Sequence, residues 1–456
     1  MTVPIADARR GPNGRVDRRV VIAAAVLYSL LLGAYLLAIL WLDTSRVNAP
    51  HIVRGPDSVG YEAAARLWPW DSQAARAAPI FPLLVRFAFN NLRTVVALQT
   101  LAWGCAWFWL ARSVARCASR PTMQVVIFAV LLSLSLSPEL LTWNSVIGSE
   151  SISLTLVIAT FACAIVASQR HSSRWWVGTA SLCALATLAR DTNAILGVVL
   201  IAVAVVIAAR KSELRRSAAA CALISMTAIL VSSGLSSVAE PPRWFYPLQE
   251  NIVVRVTPRA DFLKFFTDRG MPQANEVSAM REQYFLTYVE MRESPKFAPF
   301  RTWLRDNGPR VYGEFVLRHL PWQTKQFMQY RDDLLLNSVL PYGAVVDATP
   351  GVAYRVLGRF AFLHSANGIS LWAPIALIFL SIRRAGWRTT DRFLRGIFWV
   401  GISTAVVHAY LAFAADAFEI DRHAFSATAQ LRVMLWITTL LLIDRWVEAR
   451  MSRPVQ

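Results

Sequence analysis

The chain has 456 residues, 55% of them hydrophobic and only 17% charged, with a formal net charge of +18 and a mean hydropathy of +0.41. So little charge over such a length excludes an ordinary soluble globular protein. The surplus Lys and Arg fall in short clusters between long apolar runs, which argues against a nucleic-acid partner and for a polytopic membrane protein.

A helix needs roughly 20 mostly apolar residues to cross about 30 Å of hydrocarbon. By that criterion the fold class is an all-α polytopic membrane protein with about ten transmembrane helices. They are expected at 20–42, 93–112, 123–138, 150–168, 175–190, 193–209, 217–238, 367–382, 396–415 and 427–444. Arg9, Arg10, Arg15, Arg18 and Arg19 precede the first run; Arg112, Arg116 and Arg120 follow the second. Arg170 and Arg174, then Arg210, Lys211, Arg215 and Arg216, follow the fourth and sixth. Arg383, Arg384, Arg388, Arg392 and Arg395 follow the eighth, and Arg445, Arg450 and Arg453 the tenth. Basic residues at every second connection place those connections and both termini in the cytoplasm of an inner (plasma) membrane protein. The first run is too long for a cleavable signal peptide and lacks its small-residue cleavage site. Cys105, Cys117, Cys163, Cys183 and Cys221 lie in or beside these runs without metal-ligand spacing, so they read as small packing residues.

Three regions follow: an N-terminal transmembrane module (1–238) with a first external loop (43–91), a mostly helical external cap (239–366), and a C-terminal transmembrane module (367–456). In the first external loop, Tyr61 to Trp68 suits an amphipathic interfacial helix ended by Trp68-Pro69-Trp70, and Phe81 to Phe89 a short helix begun by Pro82. In the cap, Leu263 to Phe266 is an apolar cluster stopped by Arg269-Gly270-Met271-Pro272, and Ala274 to Glu293 has helical spacing. Val311, Phe315, Leu317 and Leu320 predict a further helix ending at Pro321.

Ionisable residues at the rim of spans are costly and tend to face a cavity or a partner. Asp57 stands in Gly55-Pro56-Asp57-Ser58-Val59-Gly60-Tyr61, just beyond the first span. Glu150, in Ile147-Gly148-Ser149-Glu150-Ser151, either caps the fourth span or lines a cavity rim. Arg190-Asp191-Thr192-Asn193 links the fifth and sixth spans. Asp191 suits a helix cap, whereas Arg190, a cation on an external link, calls for an anionic partner: Asp191, Asp57 or a lipid phosphate. Before the last span, Glu419-Ile420-Asp421-Arg422-His423 offers a planar guanidinium suited to phosphate and an imidazole for a second hydrogen bond.

In order and topology, these residues resemble the GT-C superfamily of integral-membrane glycosyltransferases, near the protein O-mannosyltransferase and lipid A aminoarabinose transferase branch. Gly55-Pro56-Asp57 with Tyr61 is similar to the family's first-loop acidic motif, and Ala78-Pro79-Ile80-Phe81-Pro82 to its Pro-x-Tyr-Pro element. Val95 to Arg112, with Gln99 inside, is similar to the span that follows. Ser149-Glu150-Ser151 and Leu188-Ala189-Arg190 with Asn193 are similar to its acidic fourth-span start and Arg-containing link. The Asp421-Arg422-His423 cluster is a looser match to a phosphate site.

The resemblance implies inverting transfer of a sugar from a polyprenyl-phosphate donor to a glycan, lipid or protein hydroxyl, on the external face of the membrane. Asp57 would be the base, and Arg190, Arg422 and His423 would hold the donor phosphate. Tyr61, Glu150, Asp191, Trp68 and Trp244 would support or line the site. Ser58 stands where many members carry a second acid, which leaves Asp57 as the sole candidate base; no cofactor is assigned, and a divalent metal stays open without support from the sequence. The alternative class is a transporter or flippase of a lipid-linked glycan. That class favours mid-span charges and helices broken by paired Gly or Pro, whereas these charges sit at the rim.

Overall fold

The computed structural model describes residues 29–37, 52–55, 57–170, 172–210, 215–280, 291–331, 389–415 and 420–451, with a few isolated positions besides. Among these residues the architecture is all helical; the one β pairing is a parallel bridge between Val53 and Val146. In chain order the helices are α1 (29–37), α2 (Ser58–Ala64), α3 (Ile80–Phe87), α4 (Leu92–Ala115), α5 (Pro121–Ser135), α6 (Pro138–Leu141), α7 (Ser149–Arg170), α8 (Ser173–Ala189), α9 (Ala194–Arg210) and α10 (Arg215–Val238). The cap supplies α11 (Phe245–Asn251), continued by a π-helical turn Ile252–Val256, then α12 (Ala260–Thr267), α13 (Ala274–Ala279), α14 (Ala298–Arg318) and α15 (Leu320–Gln329). The chain closes with α16 (Thr389–Ala415) and α17 (Ile420–Met451).

Among the described residues, four helices are long and apolar enough to cross a membrane: α4, α7, α10 and the Arg422–Glu448 stretch of α17. Three shorter apolar stretches, Pro121–Ser135, Asp191–Val206 and Trp399–Ala415, accompany them. Helices stand at eight of the ten expected positions, and α1 covers part of a ninth. The expected span 367–382 lies outside the described residues. The structure supports a membrane bundle rather than the full count of ten spans, because α5, α8 and α9 have only 15, 17 and 17 residues.

Helix α7 is the axis of the bundle. It packs against α4, α8, α16 and α17, and 89% of its apolar window is buried, against 28% for α10. Helix α10 instead turns Leu223, Leu230 and Val231 outward, as a lipid-facing helix must. Close approach of α16 to α17 depends on Gly401, where a Cβ would fall 2.7 Å from the Met434 sulfur; small residues of this kind let apolar helices pack backbone to backbone.

The two ends of the bundle differ in character. At one end Gln169 donates to the Ser113 carbonyl (3.1 Å), and the Ser119 amide and hydroxyl donate to Asp444 Oδ2 (2.8 and 3.0 Å). These bonds gather the C-terminal ends of α4, α7 and α17, with Arg112, Arg116 and Arg170. The N-terminal ends of α7 and α17 and the C-terminal end of α8 form the opposite end.

The cap has its own aromatic core, including Phe245, Phe262, Phe266, Phe300 and Phe315. It docks on the end of α16. The Tyr312 hydroxyl donates to the Ala414 carbonyl (2.9 Å), and the Arg255 guanidinium lies 4.0 Å over the Phe413 ring. Gly270 ends the α12 turn at φ +82°, a left-handed conformation that suits a residue without a Cβ.

Several local expectations are corrected. Helix α2 ends at Ala64, short of Trp68. Helix α3 starts at Ile80, one residue before Phe81, with Pro82 in its first turn. Helix α14 begins at Ala298, carries Pro309 inside it and ends at Arg318. Pro321 therefore starts α15 rather than ending the previous helix; a first-turn proline gives up an N–H that has no intrahelical acceptor anyway. Helix α13 stops at Ala279, and 281–290 lie outside the described residues, as does the cap beyond about residue 334.

A single guanidinium joins three regions. Arg243 donates to both Asp191 carboxylate oxygens (2.8 and 2.9 Å) and to the carbonyls of Ala75 (2.6 Å) and Ala77 (2.9 Å). Asp191 also accepts from the Ser232 hydroxyl at 2.5 Å. The cap entrance, the first loop, the α8–α9 link and α10 are thus tied at one point. Arg243→Ala should lower the stability of the detergent-solubilised protein by about 2–3 kcal/mol, with Arg243→Lys intermediate because an ammonium cannot reproduce the fork. Thermal unfolding reads this, and an unchanged transition in Arg243→Ala would show that the clip is dispensable.

Candidate functional site

The site is assembled at the end of the bundle opposite the arginine-rich one. Its foundation is the N-terminus of α7. The segment before α7 runs alongside the first loop: Val53 N donates to the Ser145 carbonyl and Ile147 N to the Val53 carbonyl, each at 3.0 Å. Ser58, buried, donates to the Ile147 carbonyl (2.7 Å) and accepts from Gly55 N (2.9 Å). Gln99, inside α4, donates to the Asn144 and Val146 carbonyls (3.1 and 3.3 Å). Backbone strand pairing, a serine latch and a glutamine brace therefore fix Asp57 beside Glu150.

The third contributor is the turn between α8 and α9. Asn193, fully buried, donates to the Ser153 hydroxyl (2.7 Å) and the Ala186 carbonyl (2.9 Å). That ties the turn to α7 and holds Arg190 toward the centre. The fourth is the first turn of α17, which carries Arg422 and His423 inside the helix rather than ahead of it.

These elements bring five of the expected side chains into one network. Asp57 Oδ2 pairs with Arg422 Nη1 at 2.7 Å. Glu150 Oε1 lies 3.6 Å from Arg422 Nη1 and 3.6 Å from Arg190 Nη1. Arg190 Nη2 stands 3.2 Å from His423 Nδ1. A guanidinium can only donate, so His423 Nδ1 accepts, and the neutral ring carries its proton on Nε2. Glu150 is 5% exposed and Arg190 8%, whereas the Asp57 side chain is 54% exposed. The network thus runs from a closed interior to an open mouth, with Asp57 outermost. Opposite charges about 4 Å apart attract by about 4 kcal/mol at an effective dielectric of about 20, which offsets much of the desolvation that burying Glu150 entails.

Tyr61 closes one side. Its hydroxyl donates to Ser149 Oγ at 3.0 Å, and its ring meets Phe81 edge-on at 5.0 Å. Burial first, then the negative charges of Glu150 and Asp57, push its hydroxyl up to about 12. It stays a neutral donor at ordinary pH.

Three expected site residues are engaged elsewhere. Asp191 belongs to the Arg243 clip, so the anionic partner of Arg190 is Glu150, not Asp191. Trp68 stacks on Trp70 at 5.1 Å beneath the Arg86 guanidinium at 4.1 Å, on the exposed surface of the first loop. Trp244 packs beside Phe245 at the edge of the cap core. Their hydrophobicity suits an interface or a core equally, and the sequence carries no signal to tell a packed indole from one lining a site. Arg243 carries the same sequence signal as Arg190, a cation on an expected external segment. His408 carries a signal of its own, as a titratable residue inside an apolar run.

Among the described residues no group of three or more His, Cys, Asp or Glu side chains is placed to hold a metal ion. No family model matches the chain, and no curated protein and no solved structure matches it either.

Tyr61 yields a pH-dependent prediction. In the unfolded chain a tyrosine ionises near pH 10, while the native hydroxyl holds its proton to about 12. The stabilisation from the neutral form is complete below about pH 10 and is lost as pH rises toward about 12. Tyr61→Phe should therefore be less stable than wild type near neutrality, by about 1 kcal/mol for the lost hydrogen bond. The gap should narrow or reverse above about pH 10, as read by paired thermal melts; a constant gap would refute the environment assigned to Tyr61.

Proposed function

We propose that this protein is a membrane glycosyltransferase of the GT-C kind, moving a sugar from a polyprenyl-phosphate donor to an acceptor hydroxyl with inversion. The observation that carries the reading is the convergence of Asp57, Glu150, Arg190, Arg422 and His423 at one end of an apolar bundle. In the ten-span arrangement the arginine-rich end faces the cytoplasm, the site opens to the outside, and the cap lies over the outer membrane surface. The donor's isoprenoid would run in the bilayer with its phosphate at the rim.

The chemistry asks for a base and for cations where charge develops. The acceptor oxygen attacks the anomeric carbon; the bond from that carbon to the phosphate oxygen breaks, and its electron pair leaves with the phosphate. The acceptor proton passes to Asp57. Arg190 and Arg422 neutralise the leaving phosphate, with His423 Nε2–H as a further donor. Glu150, held between the two guanidiniums, keeps them together in the absence of substrate.

The Asp57–Arg422 pair adds a step order. A phosphate seated on Arg422 competes with Asp57 for the same guanidinium, and releasing the exposed carboxylate frees it to face the acceptor. Donor binding thus prepares the base.

Transfer from a labelled polyprenyl-phosphate sugar in proteoliposomes tests this. Asp57→Asn should keep the fold, cut transfer about 10²–10⁴-fold, and bind the donor as tightly as wild type or more tightly, since a competitor for Arg422 is weakened. Arg422→Ala should lose donor binding. Wild-type transfer rates in Asp57→Asn would remove the base assignment, and movement of the lipid across the bilayer without a glycosylated product would make the protein a flippase.

A further inference from the structure

Behind the ionic network lies a residue that it does not use. His408, on α16, is 0% exposed, and neither ring nitrogen makes a hydrogen bond among the described residues. A neutral imidazole offers one donor and one acceptor, and buried polar groups with no partner are rare. His408 is within electrostatic reach of Arg190 and His423. Its helix packs on α7 and on the Asp191–Asn193 turn, the two elements that carry Glu150 and follow Arg190.

Two further buried donors of the same region lack a hydrogen-bond acceptor among the described residues. Arg190 Nη1 meets Glu150 only at the 3.6 Å ion-pair distance and makes no hydrogen bond. Thr192 Oγ1, on the turn against α16, has none either. Three donor-bearing groups, two from the α8–α9 link and one from α16, are thus short of acceptors among the described residues. The two carboxylates and two guanidiniums already sum to zero charge, and His423 Nδ1 is occupied by Arg190. The region is short of acceptor oxygens, which a phosphoryl group supplies in threes.

We infer that His408 is a ligand-contacting residue of this site, donating its imidazole N–H to the phosphoryl group that Arg190 and His423 approach. The assignment rests on the phosphate-binding reading above and extends the site inward from the rim to a second C-terminal helix. His408 takes no proton from the acceptor; it replaces, for one oxygen of the anion, the hydration lost on entering the bundle. A histidine kept in an apolar helix with no hydrogen-bond partner among the described residues is a cost in the empty protein, and a ligand bond offsets it.

The contrast between stability and binding tests this. The full-length protein in detergent would be titrated with a polyprenyl monophosphate and, separately, with inorganic phosphate, alongside thermal melts. His408→Leu fills the same space without unsatisfied nitrogens, so its melting temperature should equal or exceed wild type while its affinity for the lipid phosphate falls about tenfold or more. His408→Gln keeps an N–H donor and should lie between the two. Affinity in His408→Leu within about twofold of wild type would overturn the contact, as would a loss of affinity that follows a loss of thermal stability in both variants. If wild type binds inorganic phosphate with this His408 dependence but not the lipid phosphate, the contact stands and the lipid donor falls. If wild type binds neither, both readings fall.

Discussion

Two guanidiniums from distant parts of the chain, Arg190 and Arg422, meet one oxygen of Glu150, each at 3.6 Å. Brought together without that carboxylate, the cations would repel each other in a setting with little water to screen them. Glu150 can do this because it sits in the first turn of the most enclosed helix, where the partial positive charge of the helix N-terminus also favours an anion. The surrounding devices hold that turn in place: the Val53 bridge, the Ser58 latch and the Gln99 brace fix the backbone just before it, and the Asn193 side chain binds the Ser153 hydroxyl just after it. Removing the Glu150 charge leaves the buried Arg190 without its carboxylate partner, while Arg422 keeps the exposed Asp57.

The arrangement separates a fixed part from an exchangeable one. Glu150 and Arg190 are buried, whereas Asp57 reaches Arg422 from an exposed position. An exposed ion pair is worth little, about 0–1 kcal/mol, so an incoming anion displaces Asp57 from Arg422 far more readily than it displaces Glu150. The weakest link of the network is thus the one with the exposed partner, the side from which the proposed phosphate donor would enter.

Apolar run length marked the helices, and the spacing of basic clusters marked two unlike ends, because both depend on composition alone. The rim charges at 57, 150, 190 and 422 were legible for the same reason: an ionisable group beside an apolar run is conspicuous. Their pairing was not. Arg190 and Asp191 are adjacent in sequence, yet Arg190 leaves α8 in an extended conformation (φ −159°, ψ 125°) while Asp191 begins a 3₁₀ turn, and their side chains part toward Glu150 and Arg243. Nor could periodicity place the start of α14, whose mixed polar sequence and internal Pro309 mask its helical pattern, or tell that Pro321 opens a helix. Those outcomes are set by tertiary packing in the cap core.

Arg190 and Arg243 show how the structure sorts residues that look alike in sequence. Both are cations on segments expected outside, and both require an anion. Arg243 makes four hydrogen bonds to protein oxygens, two to Asp191 and two to carbonyls of the first loop. Its donors are engaged by the fold, and its task is to hold regions together. Arg190 is as enclosed as Arg243, each side chain being 10% exposed, yet it contacts Glu150 only at ion-pair distance, gives one bond to an imidazole, and leaves Nη1 without a hydrogen bond. A buried guanidinium with its hydrogen-bonding capacity unfilled is poorly explained by stability, because an unmet donor costs more than a net hydrogen bond returns. It is well explained by a ligand that completes it, and His408, fully buried and with neither ring nitrogen hydrogen-bonded among the described residues, lies within electrostatic reach of it.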